Sequence, residues 1–171
     1  MQTIAKFEKV SLQQFELDAA QATSANLQES YEAIVLPKRK TVGSAGYDFH
    51  APFSFALNAG ESIVIASGVR VQITPGWWLG ILPRSGHGFR YRIQLDNTLG
   101  VIDSDYYGAE NEGHILIKLT NDSKTGKTLE IEAGTGFAQG IFLPYGIAAG
   151  DQASEARSGG FGSTDPVKRE Q

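Results

Sequence analysis

Short apolar segments alternate with turn residues along most of the chain. The apolar segments are EAIVL (32–36), SIVIASGVRVQI (62–73), WWLGIL (77–82), HILIKL (114–119), TLEIE (128–132) and FAQGIFLP (137–144). Between them stand LNAG, TPG, NDSKTG and EAG. HILIKL alternates apolar and polar positions as a half-buried strand does, and Ile63 and Ile65 repeat the pattern. Short strands punctuated in this way predict an all-β barrel or sandwich. One helix is predicted near the start. Ser11 and Gln14 are spaced as a capping box, Val10 and Phe15 as its hydrophobic staple, and Leu12, Phe15 and Ala19 would share one face. The following QATSANLQES (21–30) reads as loop. From Gly150 onward glycine, serine and charge predominate, with too few apolar groups for a separate core. Such a tail orders only by docking on something else.

The chain has 171 residues, which fits one domain. The expected organisation is a single β domain over 1–150, with an N-terminal extension (1–31) and a C-terminal arm (151–171). With 41% hydrophobic and 20% charged residues the composition is that of an ordinary globular protein. The absence of cysteine excludes disulfides and thiolate metal sites and fits a reducing compartment. A net charge of −4 argues against a general grip on nucleic-acid phosphates. No apolar run approaches a membrane span, and MQTIAKFEKV lacks a signal-peptide core. A soluble cytoplasmic protein is expected.

Candidate chemistry concentrates in four segments. NTLGVIDSDYYG (97–108) places Asp103 and Asp105 directly behind the apolar triplet Gly100, Val101 and Ile102, with Tyr106 and Tyr107 next. Acids at the end of a buried strand are either structural or catalytic. PRSGHG (83–88) offers in Arg84 a charged fork suited to phosphate or carboxylate. Taken alone, it reads as a surface turn. AGYDFHAP (45–52) holds one acid, Asp48, between aromatics, and a buried aspartate needs a partner such as an arginine. RSGGFGST (157–164) combines a cation, a pliable backbone and the aromatic face of Phe161, a set suited to closing over a nucleotide, but taken alone it reads as a disordered tail.

Other features read more plainly. SKTGKT (123–128) lacks the first glycine of a phosphate-binding loop, since Asn121 stands there, and reads as a hairpin turn. His50, His87 and His114 show no metal-ligand spacing and read as surface or hydrogen-bonded core residues. Trp77 and Trp78 would fill the barrel or an interface. Glu130 and Glu132 would be solvated.

Taken in order, these segments resemble the five motifs of the trimeric dUTPase family. AGYDFHAP is similar to the first, PRSG to the second, NTLGVIDSDYYG to the third, GTGFAQGIF (134–142) to the fourth and RSGGFGST to the fifth. DYYGAENEGHI (105–115) and LPKRKTVGSAGYDF (36–49) resemble the branch found in Gram-positive bacteria and their phages. The resemblance implies a jelly-roll-like β-barrel that assembles as a homotrimer and hydrolyses dUTP to dUMP and pyrophosphate. Asp103 would activate the attacking water, and Tyr106 would lie under the deoxyribose and exclude a 2′-hydroxyl. Asn97 and the backbone of a β-hairpin, including Val101, Ile102 and Leu116 on the return strand, would read the uracil edge. Arg84, Ser85 and Gly86 would bind phosphate, with Gln139 on the phosphate and water side. Arg157 and Phe161 would close over a neighbouring subunit's site. Asp48 and Asp105 would brace residues around them. Mg²⁺ would ride on the triphosphate without a dedicated protein cage.

Two departures accompany the resemblance. Gly136 stands where the fourth motif usually has an arginine, and the fifth motif is one residue shorter after Arg157 and ends in Asp165. Two other readings remain. One is a dCTP deaminase relative, which shares the fold. The other is a phage-type regulatory member that also binds a repressor, using the N-terminal 30 residues or the insertion AENEG (109–113).

Overall fold

A computed structural model of the chain describes residues 2–23 and 25–154. Among these lie β1 (Ala5–Lys9), α1 (Leu12–Ala19), α2 (Leu27–Glu32), β2 (Lys38–Arg39), β3 (Tyr47–His50), β4 (Phe55–Leu57), β5 (Ser62–Ala66) and β6 (Val69–Ile73). They continue with β7 (Trp77–Pro83), α3 (Ser85–Tyr91), β8 (Ile93–Leu95), β9 (Gly100–Ile102), a 3-10 turn (Ser104–Gly108), β10 (Leu116–Asn121), β11 (Leu129–Ile131) and β12 (Gly136–Pro144).

The strands form a five-stranded sheet in the order β2-β3-β12-β7-β9, a three-stranded sheet β5-β10-β8, and the pairs β1-β6 and β11-β4. This is the expected jelly-roll-like all-β class, although the described sheets do not close into one barrel. Alternation decides which face each strand buries. In β10, Ile117, Leu119 and Asn121 point inward, while Lys118 faces out. Phe7 of β1 ties the small sheet to the large one. Its ring centroid lies 5.4 Å from that of Tyr47, 5.9 Å from Phe49 and 5.7 Å from Phe142.

The N-terminal helix forms as its caps predict. The Ser11 hydroxyl accepts from the Gln14 N–H at 3.1 Å, and Val10 and Phe15 are both buried. The segment after it differs from expectation. Leu27–Glu32 is helical because the Asn26 carboxamide caps it, accepting from the Gln28 N–H at 3.1 Å. EAIVL is not a strand, since Glu32 ends α2 and residues 33–36 run irregularly. An apolar run this short carries no period of its own. PRSGHG likewise continues into a short helix. The SKTGKT loop has the expected Asx and serine turn bonds, with the Ser123 N–H donating to Asn121 Oδ1 at 3.1 Å. It is not a hairpin, because β10 and β11 pair in different sheets.

AENEG has an internal task. Glu112 Oε2 accepts from the Ser11 N–H at 2.8 Å, and Glu112 Oε1 accepts from the Ser11 hydroxyl at 2.6 Å. The insertion therefore clamps the start of α1. Beside it His114 is fully buried. Its Nε2 accepts from the Gly68 N–H at 2.8 Å, and its Nδ1 lies 2.5 Å from Asp18 Oδ2. Gly68 has φ +70°, and an added Cβ would stand 2.1 Å from Ile34 Cδ1, so only glycine fits there.

Burial pushes the His114 imidazole below the ordinary histidine range, and Asp18 opposes the shift. Nε2 must stay unprotonated to accept from Gly68. The unfolded chain therefore takes up the proton first. This contribution to stability is complete above the ordinary histidine pKa of 6.5 and is lost as pH falls below it. Burial shifts His50 and His87 the same way. The urea midpoint is expected to drop between about pH 7.5 and about pH 5.5. His114→Gln will be less stable at the higher pH and will lose a smaller increment on acidification. An unchanged increment would remove His114 from the account.

Candidate active site

The five-stranded sheet brings three motifs into register. On β12, Gln139 stands opposite Asp48 of β3 on one side and Leu82 of β7 on the other, and Ala138 faces Pro83. Arg84 follows Pro83 directly, so it emerges beside Asp48 and Gly136. Its Nε lies 3.2 Å from Asp48 Oδ1, and its Nη1 donates to the Gly136 carbonyl at 2.8 Å. The expectation that Asp48 holds an arginine is thus matched by a specific pair. Gln139 Nε2 donates to the Pro83 carbonyl at 3.1 Å. Burial lowers the pKa of both His50 and His87, and Arg84 adds to each shift. Arg84 is a cation held in place at this corner by two acceptors. Ser85 and Gly86 are exposed in the first turn of α3, where the His87 and Gly88 N–H groups return to the Arg84 carbonyl at 3.0 Å. Pro83, Arg84, Ser85, Gly88, Phe89 and Ile93 line a shallow groove of about 300 Å³.

The third motif builds a second, more enclosed feature. β9 pairs antiparallel with β7, Gly100 opposite Ile81 and Ile102 opposite Leu79. β10 pairs with β5 and β8. Contrary to the expected hairpin, β9 and β10 therefore enter different sheets, parted by the 3-10 turn and AENEG. A cavity of about 280 Å³ opens between them. Ile81, Asn97, Gly100, Ile102 and Leu116 wall it, so the predicted Asn97, Ile102 and Leu116 meet at one pocket. Asp96 and Lys118 also line it and were not singled out from the sequence. The only signal was the position of Asp96 next to Asn97.

The remaining third-motif residues are not among those lining this pocket, and two predicted residues lie outside the described range. Val101 turns its side chain to solvent at 53% exposure and does not line the pocket. Asp103 follows Ile102 at the strand end and starts the 3-10 turn. Asp105 is exposed in that turn. Tyr106 is 3% exposed, and its hydroxyl donates to the His114 carbonyl at 2.9 Å and accepts from Asn111 Nδ2 at 2.8 Å. Arg157 and Phe161 lie outside the described residues.

The register separates the two features. Asp103 lies beyond the Leu79 end of the β7–β9 pair, whereas Arg84 lies beyond the Pro83 end. The four steps of strand from Leu79 to Pro83 span on the order of 13 Å. Among the described residues no cluster of three His, Cys, Asp or Glu side chains forms a metal cage. Asp103 and Gln139, which both carry hard oxygens, stand at the two separate features, so a Mg²⁺ ion here would draw its ligands from a substrate's phosphates and from water.

A jelly-roll-like β protein with a small apolar pocket and a separate arginine–carboxylate corner is a ligand-binding protein of modest ligand size. The family model for dUTPase matches residues 32–165. The deoxyuridine 5′-triphosphate nucleotidohydrolase of Lactococcus lactis is 40% identical over 134 residues, covering 77% of this chain and 88% of that protein. That of Tolumonas auensis is 38% identical over 137 residues, covering 75% and 86%. The crystal structure of dUTPase from Streptococcus mutans superimposes with a TM-score of 0.63 at 30% identity, over 84% of this chain and 98% of that one. A dUTPase from phage phi11 of S. aureus, described with a structural Mg(II) ion, shares the fold with a TM-score of 0.63 at 20% identity, over 90% and 98%. The chain belongs to the dUTPase family.

Close strand approach makes the pocket wall sensitive to added volume. A Cβ on Gly100 would stand 3.0 Å from Ile81 Cβ. Gly100→Ala is expected to cost about 1–3 kcal/mol by overpacking. A Cβ on Gly86 meets nothing within 4 Å, so Gly86→Ala should be neutral or slightly stabilising. Urea denaturation of the two variants checks the contrast, and equal effects would contradict it.

Proposed function

We propose that this protein hydrolyses dUTP to dUMP and pyrophosphate. The observation that carries the reading is the apolar pocket under Asn97 and Ile102, with Asp103 placed directly after its wall. A planar base the size of uracil suits this cavity, and Asn97 at its rim offers both a donor and an acceptor. Backbone groups of the Val101–Ile102 strand read the base edge. Tyr106, three residues after Asp103, is assigned to the sugar, although within one copy it does not line this pocket. Asp103 takes a proton from a water directed at the α-phosphorus. Arg84, held by Asp48 and the Gly136 carbonyl, meets charge on the departing pyrophosphate, with Ser85, Gly86 and Gln139 beside it. Mg²⁺, when bound to the triphosphate, neutralises phosphate charge.

In one copy Asp103 and Arg84 lie past opposite ends of the β7–β9 pair. A complete site therefore calls for residues of a second copy, which supports a homotrimer with sites between subunits. Arg157 and Phe161 would come from a neighbouring chain, the arginine toward the γ-phosphate and the phenylalanine over the base. Among the described residues no helix is long and apolar enough to cross a membrane. A cytoplasmic location goes with the substrate proposed.

Pyrophosphate release from dUTP, dCTP, dTTP and UTP, with Mg²⁺ and then with chelator, tests the reading. Release from dUTP alone, lost with chelator, is expected. Ammonia release from dCTP would replace the reading by a deaminase. Asp103→Asn should lower kcat by about 10²–10⁴-fold while dUTP still binds. Equal loss of binding and of folding would make Asp103 structural. Deleting residues 155–171 should leave a folded oligomer with severely reduced turnover. An unaffected rate would sink the closing arm.

A further inference from the structure

The turn between β8 and β9 carries Asn97 to the rim of the pocket. It is tight: the Thr98 N–H donates to the Leu95 carbonyl at 2.9 Å, and the Leu99 N–H donates to the Asn97 carbonyl at 2.6 Å. Thr98 has φ +65°, a left-handed conformation that a β-branched residue adopts only under constraint. Asp96 anchors the start of this turn to β10. Its Oδ2 lies 2.7 Å from Lys118 Nζ on β10, and its Oδ1 accepts from the Thr120 hydroxyl. The Asp96 N–H donates to the Lys118 carbonyl at 3.3 Å. Thr120 Oγ1 is in turn 2.5 Å from Ser62 Oγ on β5. Three elements are thus joined through one carboxylate.

We propose that Asp96 and Lys118 are positioning residues that tie the Asn97 turn to β10 and so set the width of the base pocket. Asp96 and Lys118 both line the cavity, and Leu116, two residues before Lys118, forms the wall facing Ile102. Drawing the turn toward β10 holds Asn97 against the cavity mouth. The idea rests on the reading of this pocket as the base site. Lys118 hydrogen-bonds Asp96 and holds its carboxyl below the usual carboxylate range, so the pair persists at neutral pH. With the Lys118 side chain 53% exposed, the pair is largely screened and adds little to global stability. Geometry and folding can therefore be separated.

The test uses the full-length oligomeric enzyme with dUTP and Mg²⁺. Asp96→Ala, Lys118→Met, the double variant and Asn97→Ala are compared by steady-state kinetics and thermal midpoint. Asp96→Ala and Lys118→Met are each expected to raise KM about tenfold more than they lower kcat, as a misplaced positioning group does. The double variant should be no worse than the poorer single, because both remove one tie. Additive losses, an unchanged KM, or parallel falls in kcat and thermal midpoint would each overturn the proposal. If Asn97→Ala raises KM while the Asp96 and Lys118 variants do not, the tie fails and the base site stands. If Asn97→Ala also leaves KM unchanged, the base-site reading itself fails.

Discussion

The double pairing of β12 is the constraint on which the corner around Arg84 depends. This strand runs from Gly136 to Pro144 and pairs along one edge with β3 and along the other with β7. Its ladder places Asp48, Gln139 and Leu82 side by side with Pro83 next in line, although they are far apart in sequence. A slip of one residue would turn Gln139 to the opposite face and part it from Asp48. The slip is opposed by burial, since Phe137 and Ala138 are fully enclosed and Phe142 packs on Phe7. Hydrophobic register is thus what gives Arg84 its carboxylate partner.

The same ladder divides the chemistry. β9 joins β7 antiparallel, so the pocket lies along their pairing, Asp103 falls past the Leu79 side, and Arg84 leaves from the Pro83 side. A rigid sheet does not fold these ends together. Within one copy the length of β7 keeps the acid and the arginine apart, and the pairing on both its edges fixes each in place.

Much of this architecture was legible in the sequence, and the failures have physical causes. β7, β10 and β12 were readable because each is a long apolar run or a clean alternation between turn residues. β1 was not, since AKFEK places one large apolar group, Phe7, among charges, and its strand pairing comes from β6. α2 was missed because LQESYE has little amphipathic pattern; the Asn26 cap and the Tyr31 hydroxyl, which donates to the Val10 carbonyl at 2.8 Å, hold it in place. In the site, the chemical types and the order of the motifs could be read, as could the need of Asp48 for an arginine. The opening of the expected hairpin and the distance between Asp103 and Arg84 could not, because both depend on pairing between remote strands. The tie through Asp96 depends on the same long-range register, which sets Asp96 beside Lys118.

Gly136 shows how a departure from a motif can be coupled to a neighbour. The fourth motif usually carries an arginine there. In this chain a Cβ on Gly136 would stand 3.0 Å from Arg84 Nη1 and 3.2 Å from its Cζ. The guanidinium of Arg84 therefore lies over the backbone at the point where a side chain would begin, and it bonds the carbonyl of the same residue. A larger residue at 136 and this placement of Arg84 compete for one space. The corner thus keeps a positive charge at Arg84, held by the Asp48 carboxylate and the Gly136 carbonyl, where a side chain at 136 would press on it by a few tenths of an ångström.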